Sequence, residues 1–238
     1  MPAKHSKRFR AAVGEVEDAR SYTPADAVDL VKKTASAKFD ETVELHLRTN
    51  ADPRHADQQL RGVVTLPHGL GKPVRVAVFA AGETVRAATD AGAEIVGADD
   101  LVARIEGGFL DFDVAIATPD LMGKIGKLGR ILGRRGLMPN PRTGTVVQPE
   151  DVPGAVREAM KGRVELRMDR TAIIHSPVGK ASFEAERLVE NLAAIIDTVN
   201  RLRPAAVKGP FVKTAYLTTT MGPGVPLDLA STLTMKVE

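Results

Sequence analysis

"LPHGLGKPVRVAVFA", residues 66–80, divides the chain by pattern. Its first eight residues hold two prolines and two glycines, which interrupt any regular element and mark a linker or hinge. Directly after them, Val74 to Phe79 is a short, mostly apolar run, the signature of a buried strand. Downstream the period alternates. A helix is expected from Glu83 to Ala91, a strand at Ile95 and Val96, a helix from Asp99 to Ile105, a strand from Val114 to Ala117 and a helix from Glu150 to Met160. Short apolar strands alternating with helices argue a parallel sheet with helices on both faces.

Upstream the pattern is different. Thr23 and Pro24 open a helix to Thr34 whose Ala27, Leu30 and Val31 share one face. Residues 42–48 alternate through Val43, Leu45 and Leu47, and the alternation resumes around Val63 to Leu66, as in half-buried strands. Beyond Lys161 and Gly162 this pattern returns at Val164, Leu166 and Met168 and at Thr171 to His175. A long amphipathic helix follows from Glu184 to about Arg201, then a strand from Val212 to Thr220. The ends read as one class and the middle as another. The expected fold class is α/β in two domains: a discontinuous two-layer α+β domain from residues 1–69 and 161–238, interrupted by an inserted three-layer Rossmann-like α/β domain at 70–160.

A chain of 238 residues suits two modest domains, and no apolar run approaches the roughly 20 residues of a membrane span. The absence of cysteine excludes disulfides and thiolate chemistry, and the basic N-terminus lacks the apolar core of a secretory signal, so a cytoplasmic setting without a membrane is expected. Charge is placed unevenly. No acidic residue stands between Asp120 and Glu150, where Lys124, Lys127, Arg130, Arg134, Arg135 and Arg142 fall. A second basic group, Lys4, Lys7, Arg8 and Arg10, reads either as an arm on a polyanion or as a solvated, frayed end.

The basic stretch "GKIGKLGRILGRRGLMPNPRTG", residues 123–144, tests an enzyme reading. No Gly-Lys pair is followed by Ser or Thr, so there is no phosphate loop, and "AAGETV" after the Val74 strand lacks the G-x-G-x-x-G dinucleotide fingerprint. Wound as one helix, Leu121, Ile125, Leu128 and Leu132 share a face, with the cations on another and Gly126, Gly129 and Gly133 between. Glycines there call for a reason: close approach of a polyanion, tight helix packing, or irregular backbone beneath a solvated basic face. Nucleic acid is the favoured reading. His5, His46, His55, His68 and His175 show no metal-ligand spacing, so no metal or cofactor is expected, and Asp99 with Asp100 reads as helix N-terminal charge. "RTAIIHSPVGKASF" and "TTTMGPG" carry hydroxyls, glycine backbone and a methionine suited to RNA sugars and bases, and a lone Phe39 reads as core or as a stacking platform.

Together, "AKFDETVEL" (37–45), "DPRHADQQLRGVVTLPHGLGK" (52–72), "KLGRILGRRGLMPNPRTGTV" (127–146), "IHSPVGKASF" (174–183) and "TTTMGPG" (218–224) closely resemble the bacterial form of the L-one family, the first protein of the large ribosomal subunit. The resemblance implies a non-enzymatic structural constituent of that subunit in the cytoplasm. It would be a monomer within the ribosome that binds rRNA of the mobile side stalk, assists movement and release of deacylated tRNA at the exit site, and represses translation from its own mRNA leader. It also implies two domains joined by hinges near His68 to Gly71 and Met160 to Arg163. The implied rRNA surface comprises Lys38, Phe39, Thr42, Arg54, Arg61, Arg170, Thr171, His175, Lys180, Ser182, Thr218, Thr219, Thr220, Met221 and Gly222. Lys124, Lys127, Arg130, Arg134, Arg135 and Arg142 would form a secondary RNA contact. Arg134 stands where the family commonly has proline and Ala172 where it commonly has glycine, and the tail 226–238 is longer than the resemblance implies.

Overall fold

The computed structural model describes residues 6–17 and 20–236, with the Arg142 side chain and the basic Lys4 and His5 outside that description. In chain order the first elements are α1 (Lys7–Gly14), α2 (Pro24–Thr34), β1 (Thr42–Thr49) and β2 (Arg61–Thr65). The middle holds β3 (Val76–Phe79), α3 (Glu83–Asp90), β4 (Ile95–Gly97), α4 (Asp99–Glu106), β5 (Val114–Ala117), α5 (Met122–Ile125), α6 (Gly129–Leu132) and α7 (Val152–Met160). The remainder is β6 (Arg163–Arg167), β7 (Ile173–Lys180), α8 (Ala185–Arg201), β8 (Val212–Thr219), β9 (Val225–Pro226) and α9 (Leu229–Leu233). These divide into two compact units, Met1–Gly71 with Val164–Glu238, and Lys72–Arg163. The mixed α/β class is as the sequence pattern indicates. Among the described residues no helix is long and apolar enough to cross a membrane.

In the unit built from both chain ends, an antiparallel sheet of order β7-β1-β8-β9 presents alternate residues to opposite sides. Val43, Leu45 and Leu47 of β1, Ile174 and Val178 of β7, and Ala215 and Leu217 of β8 point into the core with Val28 and Val31 of α2. Leu188, Leu192, Ile195, Ile196 and Val199 of α8 complete it, all at 0% exposure. Each such side chain stabilises by about 1.5–3 kcal/mol. The other sheet face carries Glu44, His46, Arg48, His175 and Tyr216 toward solvent. A two-stranded sheet of β2 and β6 adds Val64, Val164 and Leu166 to the same core. Thr23 caps α2, its hydroxyl accepting the Asp26 N–H at 3.3 Å and donating to the Asp26 carboxylate at 2.8 Å.

Three local features of this unit go beyond what the sequence pattern specifies. Of the N-terminal basic group, Lys7, Arg8 and Arg10 lie on a helix capped by the Ser6 hydroxyl, and Lys4 lies outside the described residues. The tail folds back: Leu227 bridges Tyr22, Asp228 caps α9 and Thr232 is fully buried, so these residues close the edge of the core. Residues 68–71 are tied to α8 through Asn191. The side chain of Asn191, itself fully buried, accepts the His68 N–H at 3.1 Å and donates to the carbonyls of Gly69 at 3.1 Å and Val178 at 2.8 Å. A Cβ on Gly71 would lie 2.7 Å from the Phe183 ring.

In the second unit β4-β3-β5 form a parallel sheet. All four residues of β3 are buried, as expected for a strand covered on both faces. Val76 and Val78 pack with α3 and α7 through Ala88, Val152 and Val156, while Ala77 and Phe79 pack with Leu101 and Ile105 of α4 and with Leu121, Ile125, Leu128 and Leu132. Those last four are buried as the helical spacing requires, but the single helix expected there is absent. The backbone alternates 3₁₀ turns at Pro119–Leu121, Gly126–Leu128 and Gly133–Arg135 with the one-turn helices α5 and α6. The breaks fall at Gly126, Gly129 and Gly133, where glycine weakens a continuous helix by about 1 kcal/mol each.

Candidate nucleic-acid interface

The residues expected to meet RNA fall into separate groups. One is the corner where the loop before β1, the end of β7 and the turn after β8 converge. Phe39 is 55% exposed there and Met221 49%, unusual for large apolar side chains. Thr42 and Thr220 join the corner directly, the Thr42 N–H donating to the Thr220 hydroxyl at 3.0 Å and the Thr220 N–H to the Thr42 carbonyl at 3.0 Å. Lys180 donates to the Thr42 hydroxyl at 2.9 Å. Thr218 lies half-buried, its hydroxyl directed to the carbonyl of Pro223 at 3.1 Å, and Lys38 is exposed. Thr219, expected on the surface, is buried at 2% exposure because alternation turns it inward. Gly222 is required by that turn: a Cβ would lie 2.4 Å from the Thr219 hydroxyl.

Two acidic residues outside the expected rRNA surface brace this corner. Asp40 accepts the Ser182 N–H at 3.1 Å and the Ser182 hydroxyl at 2.8 Å, tying the end of β7 to the loop before β1. Glu41 is 2% exposed, yet its carboxylate accepts the N–H of Ala37 at 2.8 Å and of Met221 at 2.9 Å. Burial alone would push its pKa up. The N–H groups of Ala37 and Met221, with smaller help from the Thr219 hydroxyl and the Ser36 N–H, together outweigh burial and hold it below the usual carboxylate range. The Thr219 hydroxyl beside it also favours the charge and makes no other hydrogen bond among the described residues.

A second group lies toward the far end of the same strand, about 23 Å from Lys180 at roughly 3.3 Å per residue. Asp169 organises it, accepting the N–H groups of Thr171 and Ile173 at 2.8 Å each and the Thr171 hydroxyl at 2.6 Å, with His175 Nε2 at 3.6 Å. Burial opposes its ionisation, but the Thr171 hydroxyl and these N–H groups lower its pKa to about 2. Arg170 is exposed beside it with no acidic partner among the described residues. Across the strand pair, His46 stands opposite His175 with Nδ1 atoms 2.8 Å apart. Burial, then the neighbouring His175, pushes the His46 pKa down against a smaller opposite pull from Glu44. The sequence spacing of His46 marks no metal site and gives no sign of this pairing. The signal that finds it is strand register, which no local motif carries.

Arg54 precedes β2 and Arg61 opens it, next to Leu60, whose carbonyl accepts the Met168 N–H at 3.1 Å. Arg54 is exposed, but Arg61 is held by Glu165 at 2.7 Å and is not a free cation. In the second unit Lys124 is likewise paired, its ammonium 2.7 Å from Asp99, so a stretch without acids in sequence is not without them in space. Lys127, Arg130, Arg134 and Arg135 are exposed, with no acidic partner among the described residues. An added Cβ at Gly123, Gly126, Gly129 or Gly133 would meet nothing within 4 Å, so packing within this chain does not explain those glycines. Asp99 and Asp100 occupy the first turn of α4, as their sequence position implied. Three residues, Ala80 to Gly82, join β3 to α3, with no room for a phosphate loop. No cluster of three or more metal-ligating side chains occurs among the described residues.

The chain matches the Ribosomal protein L1p/L10e family over residues 31–223. It is similar to proteins named large ribosomal subunit protein uL1 from three bacteria. The protein of Thermomicrobium roseum is 57% identical over 98% of this chain and 97% of its own length. That of Chloroflexus aggregans is 56% identical over the whole of both chains. That of Dehalococcoides mccartyi is 56% identical over 97% of this chain and 98% of its own. These are names of a ribosomal component and not of an enzyme. With nearly full-length identity above one half and a family match across both units, the chain belongs to the ribosomal protein L1p/L10e family.

Proposed function

We propose that the chain is a structural, non-catalytic constituent of the large ribosomal subunit in the cytoplasm, and that it holds side-stalk rRNA with the unit built from both chain ends. The carrying observation is the convergence of Phe39, Lys180, Ser182 and Met221 at one corner, with two exposed apolar side chains among hydroxyls and a cation. Apolar surface to stack on bases, hydroxyls for ribose 2′-OH groups and a phosphate-seeking ammonium are what folded RNA requires. Recognition is of shape, with the cations adding sequence-independent attraction. Arg170, Thr171 and His175 extend the surface along β7. The unpaired Lys127, Arg130, Arg134 and Arg135 of the inserted unit form a weaker second contact, where exposed glycines let a phosphate backbone approach closely. On this reading the protein assists movement and release of deacylated tRNA at the exit site. It also represses its own mRNA by binding a leader that presents the same RNA shape.

The test is binding of the purified protein to a side-stalk rRNA fragment across a salt series, with scrambled RNA as competitor. If about five phosphates are neutralised, log K falls against log salt with a slope of roughly −3.5. Binding that survives moderate salt and ignores the competitor is the expected result. Weak binding removed by the competitor would overturn specific recognition and leave a merely basic surface.

A further inference from the structure

Glu41 is adverse to the site it occupies. A carboxylate held ionised beneath a surface that attracts a polyanion repels phosphate, and at 2% exposure it offers RNA almost no surface of its own. What it does instead is join two segments 184 residues apart at their extremes, the loop leading to Phe39 and the turn carrying Met221. One oxygen takes the Ala37 N–H at 2.8 Å and the other the Met221 N–H at 2.9 Å. Bonds from N–H to an ionised carboxylate are roughly twice as strong as neutral ones. The Glu41 carbonyl also accepts the Ala181 N–H at 2.8 Å, so the residue touches all three segments of the corner.

We propose that Glu41 is the positioning residue of the RNA surface: its buried carboxylate sets the spacing between Phe39 and Met221, and that spacing, rather than the cations, selects the RNA. The proposal rests on the rRNA-binding reading above and deepens it. Attraction by lysine and arginine is shared by every RNA, whereas two exposed apolar groups at one fixed separation fit one folded shape. The role has a signature of opposite signs. Removing the charge at residue 41 weakens specific binding while leaving attraction to unrelated RNA unchanged or slightly stronger, because a repulsive charge has gone.

The deciding variant is Glu41→Gln. The glutamine oxygen can still accept one N–H, but its own NH₂ group confronts the other, so one of the two links is lost. Affinity for the side-stalk rRNA fragment is expected to fall roughly tenfold to a hundredfold, the loss for a charge-assisted hydrogen bond. Affinity for scrambled RNA should stay as in the natural protein or rise slightly, and the salt slope should stay unchanged. A merely structural role predicts something else: a smaller folded fraction lowers binding of both RNAs together and leaves their ratio alone, which is the behaviour expected of Leu192→Ala in the core. A Glu41→Gln protein that keeps the natural ratio overturns the proposal and spares the rRNA reading. A natural protein with no preference between the two RNAs overturns both. If Glu41→Gln does not fold, Glu41→Asp is read in the same way, since it keeps the charge but is one methylene too short to reach both N–H groups.

Discussion

Ala172 holds a backbone φ of 64°, the one positive value among the described non-glycine residues. The left-handed region costs a residue with a Cβ about 1–2 kcal/mol. Its methyl group is buried at 8% exposure, and its carbonyl accepts both the N–H and the hydroxyl of Thr49 at 2.8 and 2.9 Å. The position therefore favours glycine for the turn and not for the approach of RNA. Ala172→Gly should raise stability by roughly 0.5–1 kcal/mol after the entropy of the unfolded glycine is counted, read as a higher denaturation midpoint, with RNA affinity unchanged. The same turn fixes an acid limit. Asp169 is lowered from 3.8 to about 2, so below pH 3.8 the unfolded chain binds its proton first. Its contribution is complete above that value and is lost as pH falls toward about 2, and Asp169→Asn should remove this part of the acid limb. His46 is also lowered from 6.5, and for a cation this again means that the unfolded chain takes the proton first, so stability should decline as pH drops below 6.5. In His46→Gln that decline should be absent.

Elements were legible in the sequence wherever one period ran long enough. The apolar face of α8, the cap of α2 and the buried run of β3 all follow from spacing alone, because helix and sheet periodicities are local. The stretch after Pro119 was half legible. Burial of Leu121, Ile125, Leu128 and Leu132 followed the spacing, but the alternation of 3₁₀ and α turns did not, since glycine permits both and the choice is made by packing on the sheet. Gly126, Gly129 and Gly133 have helical φ values of −52°, −55° and −64° with open space beside them. Replacing all three by alanine should therefore stabilise the free protein, by roughly 0.4–1 kcal/mol per site. If the glycines serve a close-lying phosphate backbone, the same variant should bind RNA less well. A stabilised variant with unchanged binding would remove that role from the second unit. The corner around Glu41 was legible only through resemblance. Its long-range bonds join residues 138 to 180 positions apart, a range at which no motif gives the partner.

Across the whole molecule the formal charge of +3 conceals which cations are free to act. Lys124 and Arg61, equal in sequence to their neighbours, are neutralised by Asp99 and Glu165, whereas Lys127 and Arg130 have no acidic partner among the described residues. The distinction changes which variant is informative. Removing Lys124 also releases the charge of Asp99, so its effect on RNA binding mixes two changes of opposite kind. Lys127→Ala with Arg130→Ala removes two unpaired charges from one exposed ridge. If both meet phosphates, each contributes about 0.7 to the salt slope, and the double variant should reduce it by about 1.4. The preference for side-stalk rRNA over scrambled RNA should remain, since phosphate contacts carry no sequence information. Met221→Ala should do the reverse, lowering that preference by roughly tenfold, the worth of one stacked base, while leaving the slope as it was. Measured over one salt series, the two variants separate attraction from recognition. If instead both lower slope and preference in proportion, the two units do not divide the work by chemistry, and the corner at Phe39 and Met221 is one cationic contact among several.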